Sequence, residues 1–392
     1  MFSLGVVHLS GHFPLIGDTV PKGELSLLSC DEDLGCGLVQ LSMDFPQTIL
    51  YGIQYGYRSG LNPSMVEHLG KKIKKILRLW SPAENDLILD IGSNDGTSLS
   101  FYPNHFKKLF GIDPLGEKYS EFYPKHVNRI SDFFNENLAL RSLSGEKAKI
   151  ITSFSMLYDL PNPVEFFRSI RTSLREDGIW ISEQSYLPAM LEKNSFDTIC
   201  HEHLEYYSLS TLVWLCKKAN LRMIDCEFND VNGGSLSFTA VPDSSPLEQS
   251  EDFKTALDAE VRAAEGAIVE FAKFRVEVEK AKSNLLKLLV NLKLQGTPVA
   301  GLGASTKGNV LLEWMEIGPN LLPVIGDVNP DKWGRSTPGT GIPIISEAEL
   351  INKNFQHFVV LPWHFRNFFI DKFKGSGMTL IFPLPSLEVI TV

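Results

Sequence analysis

The stretch "LILDIGSNDGTSLSFY" (87–102) decides the fold class of this chain. It begins with "LILDIG" (87–92), an apolar run of the length of a buried strand, and continues into a glycine-rich turn. Gly92 and Gly96 let the backbone turn tightly, and a ligand can approach closely because neither residue carries a Cβ. The stretch therefore predicts a strand, a ligand-binding turn and the start of a helix.

Strand-like runs alternate with helix-length amphipathic segments on the carboxyl side of this turn. The clearest runs are "KKLFGID" (107–113), "AKIITSFSML" (148–157) and "GIWISEQSY" (178–186). Such alternation predicts a mostly parallel, doubly wound sheet. Two further runs, 222–228 and 233–241, are joined by "NDVNGG" and predict an antiparallel hairpin that finishes the sheet.

A second strand–loop–helix unit begins at "TPVAGLGASTKGNVLLEWM" (297–315), after a long helical pattern from about 250 to 295. We therefore predict an α/β protein with a central Rossmann-like sheet and a second, C-terminal α/β domain of Rossmann-like type. The predicted domains are a small turn-rich N-terminal module (1–68), a central domain (69–243) and a C-terminal domain (244–392).

The composition argues against several classes of function. The formal net charge of −10 disfavours nucleic-acid backbones and anionic membranes as partners, and no apolar run approaches the roughly 18–20 residues that span a bilayer. The N-terminal stretch lacks the basic region of a signal peptide, and five cysteines in 392 residues do not make a disulfide framework. We therefore expect a cytoplasmic protein whose oligomeric state the sequence leaves open.

Cys30 and Cys36 form a C-x5-C pair, whereas zinc knuckles usually use two C-x2-C pairs. Half a site at this spacing leaves zinc doubtful, and the alternative is a pair of reduced thiols. We assign no metal ligand.

The glycine turn and a spaced acid together indicate the cofactor. Asp113 ends the run "FGID" about 23 residues after Asp90, where a carboxylate can accept both hydroxyls of a ribose. Asp90 and Asp95 would repel a phosphate but suit a cationic ligand that bears an amino acid, which indicates S-adenosylmethionine. The alternative is that the glycines only serve the turn and Asp113 only caps a helix. The candidate cofactor residues are Asp90, Gly92, Ser93, Asn94, Asp95, Gly96, Asp113, Pro114, Asp132 and Phe133.

The stretch "FDTICHEHLEYYSL" (196–209) concentrates titratable groups, with His201, Glu202 and His203 in succession. It follows the strand-like run 178–186, so we expect it at the same sheet edge as the cofactor turn. A zinc site is disfavoured by the spacing of the two histidines, and a polar helix N-terminus is a second alternative. Acid–base chemistry is the active interpretation, because imidazole titrates near neutrality and a carboxylate can orient it.

Eight motifs in order resemble the S-adenosylmethionine-dependent nucleotide-sugar C-methyltransferases. They are "CGLVQL" (36–41), "YGYRSGLNPSM" (55–65), "DIGSNDGT" (90–97), "GIDP" (111–114), "FDTICHEHLEYYSL" (196–209), "NGGSL" (232–236), "GASTKGNVLL" (303–312) and "DVNPDKWGRSTPGTGIPI" (327–344). The resemblance implies an N-terminal zinc-binding module, a central methyltransferase domain and a C-terminal nucleotide-sugar domain. The implied substrate is a nucleoside-diphosphate 4-ketosugar, methylated at the carbon beside the ketone.

That chemistry needs a base for the C–H bond and a group that stabilises the enolate oxygen. We expect His203 to be the base, Glu202 to orient it or relay the proton, and His201 to be a neighbour. Tyr57 and Tyr207 are candidates for the pocket wall, with packed aromatic rings as the alternative.

Three departures from the family pattern are visible. Cys200 stands where relatives often have a tyrosine, and Asp159 in "SMLYDLP" stands where relatives have a histidine. The first cysteine pair of the N-terminal module is missing, which again makes zinc doubtful. We count both Cys200 and Asp159 among the catalytic candidates, because these replacements predict a different division of the acid–base work.

The segment "GLGASTKGNVLLEW" (301–314) predicts a strand, a turn and a helix N-terminus whose amides, with Lys307, can hold a diphosphate. The resemblance supports this as the nucleotide-sugar anchor; a structural turn and a solvated loop are the alternative. The candidate substrate residues here are Ser305, Lys307, Asn309, Asp327, Lys332 and Arg335. Two competing functions remain: O- or N-methylation of another small molecule, and nucleotide-sugar binding without catalysis.

Overall fold

The computed structural model describes residues 1–15, 17–30, 35–51, 55–264 and 267–392. The strands of these ranges are β1 (Phe2–His8), β2 (Lys22–Ser29), β3 (Val39–Leu41), β4 (Leu87–Ile91), β5 (Lys108–Ile112), β6 (Asn128–Ile130), β7 (Ala148–Phe154), β8 (Leu174–Ser185), β9 (Glu205–Tyr206), β10 (Leu221–Asn229), β11 (Ser235–Pro242), β12 (Val299–Leu302), β13 (Ile325–Asp327), β14 (Ile344–Ser346), β15 (His357–Val360), β16 (Thr379–Phe382) and β17 (Glu388–Thr391). The helices are α1 (Gln47–Leu50), α2 (Pro63–Trp80), α3 (Glu136–Ser142), α4 (Pro163–Ser173), α5 (Leu187–Glu192), α6 (Leu209–Lys218), α7 (Glu251–Ala264), α8 (Ala267–Leu294), α9 (Thr306–Trp314), α10 (Glu347–Ile351) and α11 (Arg366–Lys372).

A seven-stranded sheet forms the centre of the molecule, in the order β10-β11-β8-β7-β4-β5-β6. Strands β4 to β8 are parallel, and β11 joins β8 antiparallel and carries β10 as a hairpin. Every residue of β4 is buried, as expected for a parallel strand covered by helices on both faces. The predicted α/β class, with a doubly wound sheet and an antiparallel finish, is confirmed.

Local capping signals set the helix starts around this sheet. Asn62 accepts a hydrogen bond from the backbone amide of Ser64, and Pro63 opens α2. Asn162 caps α4 in the same way through the amide of Glu165, again followed by a proline. The apolar face of α4 then packs on the sheet beside Trp180.

A second, six-stranded sheet follows α8, in the order β14-β13-β12-β15-β16-β17. All its pairings are parallel except the last, where β17 runs antiparallel to β16. The predicted second α/β unit is therefore present. The predicted domain boundaries at residues 68 and 243 stay a prediction.

The N-terminal strands form a four-stranded sheet, in the order β1-β2-β3-β9. Its last strand, β9, comes from the His-Glu-His segment, and Tyr206 pairs with Val39. The N-terminal sheet therefore includes a strand from the stretch 196–209.

Polar contacts join the three sheets around one region. Nδ1 of His8 lies 2.7 Å from Oε1 of Glu313, and Asn309 donates to the carbonyl oxygen of Ser10 at 2.7 Å. Trp363 donates from its indole nitrogen to Asp197 at 2.8 Å. Within the described ranges, no helix combines the length and the apolar character needed to cross a membrane.

Candidate active site

The turn after β4 depends on glycine. Gly92 and Gly96 have φ values of +71° and +75°, in the left-handed region that other residues rarely adopt. A Cβ on Gly92 would lie 2.7 Å from Cγ of Met156, closer than atoms can pack. The turn is therefore shaped as a cradle that a side chain would fill.

Asp113 follows β5 and is held beside this turn. Its Oδ2 accepts from the amide of Asn94 at 2.8 Å, and its Oδ1 accepts from the amide of Leu115 at 2.7 Å. The residue is 6% exposed, and burial raises the pKa of its carboxyl group although the two amides act in the opposite direction. Each carboxylate oxygen keeps a lone pair for a ligand.

A cavity opens over the turn and Asp113. Its walls include the predicted residues Asp90, Gly92, Ser93, Asn94, Asp113, Pro114 and Phe133, together with Leu115, Phe154, Met156 and Leu160. Three other candidates lie elsewhere: Gly96 and Asp95 are outside the wall, and Asp132 is exposed. Asp95 instead accepts from the amide of Gly60 at 2.9 Å, and its Oδ2 lies 3.7 Å from Nε of Arg58.

The side chain of Asp90 fixes the turn through two hydrogen bonds. Its Oδ1 accepts from the hydroxyl of Thr152 at 2.5 Å, and its Oδ2 accepts from the hydroxyl of Ser98. Burial raises the pKa of Asp90 to about 6. Its side chain therefore serves the shape of the turn more than direct contact with a ligand.

A second cavity, of about 420 Å³, lies where the three sheets meet. Loops and helix ends from the N-terminal, central and C-terminal parts of the chain line it, including Phe13, Tyr55, Tyr57, Tyr158, Asp159, Cys200, Glu202, His203, Asn232, Ser305, Lys307, Asp327, Lys332 and His364. It shares Tyr55, Tyr57, Ser155 and Asp159 with the first cavity. The two cavities are therefore neighbours with a common wall.

His203 presents a defined tautomer to the second cavity. Its Nδ1 donates to the carbonyl oxygen of Thr198 at 2.9 Å, which leaves Nε2 as the acceptor. Burial, followed by repulsion from Lys307, lowers the pKa of His203 to about 3. The ring is therefore neutral and able to accept a proton.

The two residues before His203 have different surroundings. Glu202 lines the cavity and accepts from the hydroxyl of Ser10 at 3.1 Å, and burial raises the pKa of its carboxyl group. His201 is fully buried and lies outside the cavity wall. Its Nδ1 lies 3.1 Å from the same hydroxyl and its Nε2 lies 3.4 Å from the carbonyl oxygen of Gly23. His201 therefore supports the N-terminal sheet.

Both departures from the family pattern line the second cavity. Cys200 is fully buried, and burial raises the pKa of its thiol well above the usual value. Asp159 lies in the wall common to both cavities. Within the described part of the chain, its Oδ1 has no hydrogen-bond partner.

Another part of the wall comes from segments that follow strands of the second sheet. Ser305 caps α9 by accepting from the amide of Gly308 at 3.0 Å. Lys307 donates to the carbonyl oxygen of Asn232 at 2.9 Å, and burial lowers its pKa. Lys332 donates to the carbonyl oxygen of Ala304 at 2.7 Å, and its Nζ lies 3.9 Å from Oδ2 of Asp327.

Three substrate candidates lie away from the cavity. Tyr207 is fully buried and donates to Glu205. Asn309 is buried against Ser10, and Arg335 donates to the carbonyl oxygen of Phe13 at 3.0 Å. Tyr57, by contrast, is 43% exposed and lines both cavities.

No cluster of three or more metal-ligating side chains occurs within the ranges that the structure describes. Cys30 and Cys36 are free thiols, and burial raises the pKa of Cys36. Residues 31–34 between them lie outside the described residues.

Comparison with known proteins identifies two domains and one curated relative. A methyltransferase-domain model matches residues 65–225, and a model of the C-methyltransferase C-terminal domain matches residues 230–385. The C-methyltransferase NovU of Streptomyces niveus is 27% identical over 398 residues, which cover 99% of this chain and 93% of that protein. These matches support an S-adenosylmethionine-dependent methyltransferase that transfers its methyl group to carbon.

Solved structures give a weaker likeness to this methyltransferase. A chain from the complex of the Haloferax volcanii Trm112 methyltransferase activator with a methyltransferase has a TM-score of 0.37 and 12% identity, covering 46% of this chain and 96% of that one. The CcbJ methyltransferase of Streptomyces caelestis has a TM-score of 0.35 and 12% identity, covering 44% and 89%.

The residues of the first cavity fit S-adenosylmethionine, the cofactor of this methyltransferase. Because Gly92 has no Cβ, a ligand can lie close to the backbone of the turn, and Asp113 offers acceptors for ribose hydroxyls. Apolar side chains such as Met156 and Leu160 can cover a flat base. When bound, the cofactor supplies an electrophilic methyl group.

The methyltransferase also has two site residues that the sequence analysis did not select. The ring of Tyr158 lies 4.2 Å from that of His203, centroid to centroid. His364 lines the second cavity, and its buried Nδ1 has no partner among the residues described. A signal for His364 was available, because "HFVVLPWHF" places it just beyond a buried parallel strand, where ligand-binding residues collect.

Proposed function

We propose that this C-methyltransferase acts on a nucleoside-diphosphate 4-keto deoxysugar, in branched-sugar biosynthesis, and methylates the carbon beside the ketone. The observation that carries the proposal is the shared wall of the two cavities, in which Asp159 lies, with the free nitrogen of the neutral His203 in the second. A carbon acid needs a neutral base next to the methyl donor, away from bulk water. The proposal includes three domains: an N-terminal module (1–68), a methyltransferase domain (69–243) and a sugar-binding domain (244–392). It also includes a cytoplasmic location.

The second sheet supplies the groups for the nucleotide. The N-terminus of α9 offers backbone amides, and the ammonium group of Lys307 lies in the same wall, a combination that suits a diphosphate. Asp327 and Lys332 line the cavity farther along and suit the ribose and base. The sugar would then extend toward Cys200, Glu202 and His203.

Proton abstraction falls to His203. Its Nε2 takes the proton from the carbon beside the ketone, and the electron pair of that C–H bond moves into the enolate. The low pKa of His203 means that the imidazolium needs a negative partner, which the developing enolate supplies. Glu202 lies in the same cavity wall and relays the proton. The enolate carbon would then form the new C–C bond to the methyl group as the carbon–sulfur bond of the sulfonium breaks, with S-adenosylhomocysteine as the leaving group, and His203 would return its proton to solvent.

Mass spectrometry in D₂O tests the proposal. The protein is incubated with S-adenosylmethionine and a panel of nucleoside-diphosphate 4-keto-6-deoxysugars, alongside the His203→Asn variant. We expect a gain of one methyl group and deuterium exchange at the reacting carbon, both lost in His203→Asn. Methyl transfer without exchange, or with full activity in the variant, would move the acceptor to oxygen or nitrogen. Sugar binding without either signal would indicate a binding protein.

A further inference from the structure

We propose that Asp159 is the hydrogen-bond donor to the ketone oxygen of the substrate and stabilises the enolate as it forms. The inference rests on the proposed function and assigns the second group that enolate chemistry requires. Three observations support it: the position of Asp159 between the cavities, the unpaired oxygen of its carboxyl group, and the chemistry of its neighbours.

The fold brings Asp159 to the reacting position. It ends a short 3-10 turn, Leu157–Asp159, that follows β7, and β7 lies beside β4 in the sheet. The carboxyl ends of these two strands therefore place Asp159 near the cofactor turn. The amide of Leu204 also donates to the carbonyl oxygen of Tyr158 at 2.8 Å, which ties this turn to the His-Glu-His segment.

Among the described residues, the carboxyl group of Asp159 keeps one oxygen without a hydrogen bond. Its Oδ1 is closed off from solvent and unpaired within the described ranges, which is costly unless a ligand completes it. Two hydrogen bonds fix the backbone of Asp159. Its amide donates to the carbonyl oxygen of Met156 at 3.1 Å, and the side chain of Gln47 donates to the carbonyl oxygen of Asp159 at 3.3 Å. The hydroxyl of Tyr51 lies beside the carboxyl group and donates to the carbonyl oxygen of Glu202 at 3.3 Å.

The surroundings of Asp159 favour the protonated acid. Burial raises its pKa well above the usual value, and the nearby carboxyl groups of Glu202 and Asp113 raise it further, although Tyr51 acts in the opposite direction. Other titratable groups that face it are Tyr55, Tyr158, Tyr206, Tyr207 and Cys200. A neutral carboxyl group has the O–H that a carboxylate lacks, so it can donate to an oxygen that gains charge.

The protons balance in this arrangement. His203 takes the proton from carbon while the Asp159 hydroxyl donates to the ketone oxygen, which carries the negative charge of the enolate. When the new C–C bond forms, the C=O bond is restored and the Asp159 proton stays with, or returns to, its carboxyl group. Cys200 is a poorer candidate because a thiol is a weak donor.

Deuterium exchange tests the inference without methyl transfer. The protein, with S-adenosylhomocysteine in place of the cofactor, is incubated in D₂O with the ketosugar that the wild type exchanges. We expect Asp159→Ala to lower the exchange rate by about 100-fold or more, as for loss of an oxyanion donor, and Asp159→Asn to keep part of it because an amide still donates. Asp243→Asn, at an exposed site, is the matched control.

The outcomes separate this inference from the proposed function. Absence of exchange in the wild type would overturn both. Normal exchange in folded Asp159→Ala, or equal losses in the alanine and asparagine variants, would overturn the donor role alone. A pH profile adds a second readout: wild-type exchange should fall on the alkaline side as Asp159 ionises, and Asp159→Asn should lack that fall.

Discussion

His203 lines the second cavity and donates from Nδ1 to the carbonyl oxygen of Thr198 at 2.9 Å, so its other nitrogen carries no proton. Because burial and Lys307 lower the pKa of His203 to about 3, the base form persists well below the usual histidine range.

We therefore predict that proton exchange at the substrate carbon does not fall between pH 8 and pH 5 through titration of His203. A free histidine would lose its base form near its ordinary pKa of about 6.5. The measurement is the pH profile of deuterium exchange, with circular dichroism at each pH to confirm that the fold is intact. An acid limb with an inflection near 6.5 would contradict the prediction.

Gly11 controls the position of Glu202. A Cβ on Gly11 would lie 1.8 Å from Oε1 of Glu202, and Gly11 has no positive φ that would strain an alanine. The carboxyl group must therefore move in Gly11→Ala. We expect exchange to fall by about 10- to 100-fold, the range for a small misplacement of a reacting group, while cofactor affinity stays unchanged.

Gly318→Ala is the matched control for this change. Gly318 also lacks a positive φ, and its nearest contact to a new Cβ is at 3.9 Å. Cofactor affinity by calorimetry and exchange by mass spectrometry should both match the wild type there. Unchanged exchange in Gly11→Ala would show that Glu202 has no part in the chemistry.

Asp113 is the residue on which cofactor affinity should depend most. Replacement by asparagine removes the charge that strengthens its bonds to ribose hydroxyls, so we expect affinity for S-adenosylmethionine to fall by about 10- to 100-fold. Asp132→Asn should change it less than about twofold, because Asp132 is exposed outside the cavity. Calorimetric titration of both variants, with Asp243→Asn as control, measures this. Equal losses at 113 and 132 would contradict the placement.

The cofactor side of the site was accessible from the sequence because its signals are local. The strand, the glycine turn and Asp113 fall within one short strand–turn–strand segment, and the φ values of Gly92 and Gly96 explain the glycines. The α/β class follows from the same alternation of strands and helices. The position of Asp95 could not be predicted in this way, because its partner Arg58 comes from a distant loop that no local pattern places beside the turn.

The substrate side depends on contacts between distant parts of the chain. His201 and Glu202 are adjacent, yet Ser10 bonds to both and only Glu202 reaches the cavity. Tyr207 was expected in the pocket, but β9 pairs with β3 and leaves it in the core. Periodicity could not reveal a strand of two residues supplied to another sheet.

Glu205 makes the stability of this region depend on pH. It is 4% exposed, accepts from the hydroxyl of Tyr207, and burial raises its pKa to about 8 from 4.5. Between these two values the folded protein keeps a proton that the unfolded chain loses. The stability that this proton confers is complete below pH 4.5 and is lost as the pH rises through about 8.

We predict that Glu205→Gln flattens the fall in unfolding free energy between pH 5 and pH 8, because the neutral amide imitates the protonated acid. The wild type should lose up to about 1.4 kcal/mol per pH unit from this group, with smaller contributions at the lower end from Asp90 and Asp197, whose pKa values burial raises to about 6. Urea unfolding of both proteins across this range measures the difference. Parallel pH dependences would show that Glu205 is already ionised in the fold.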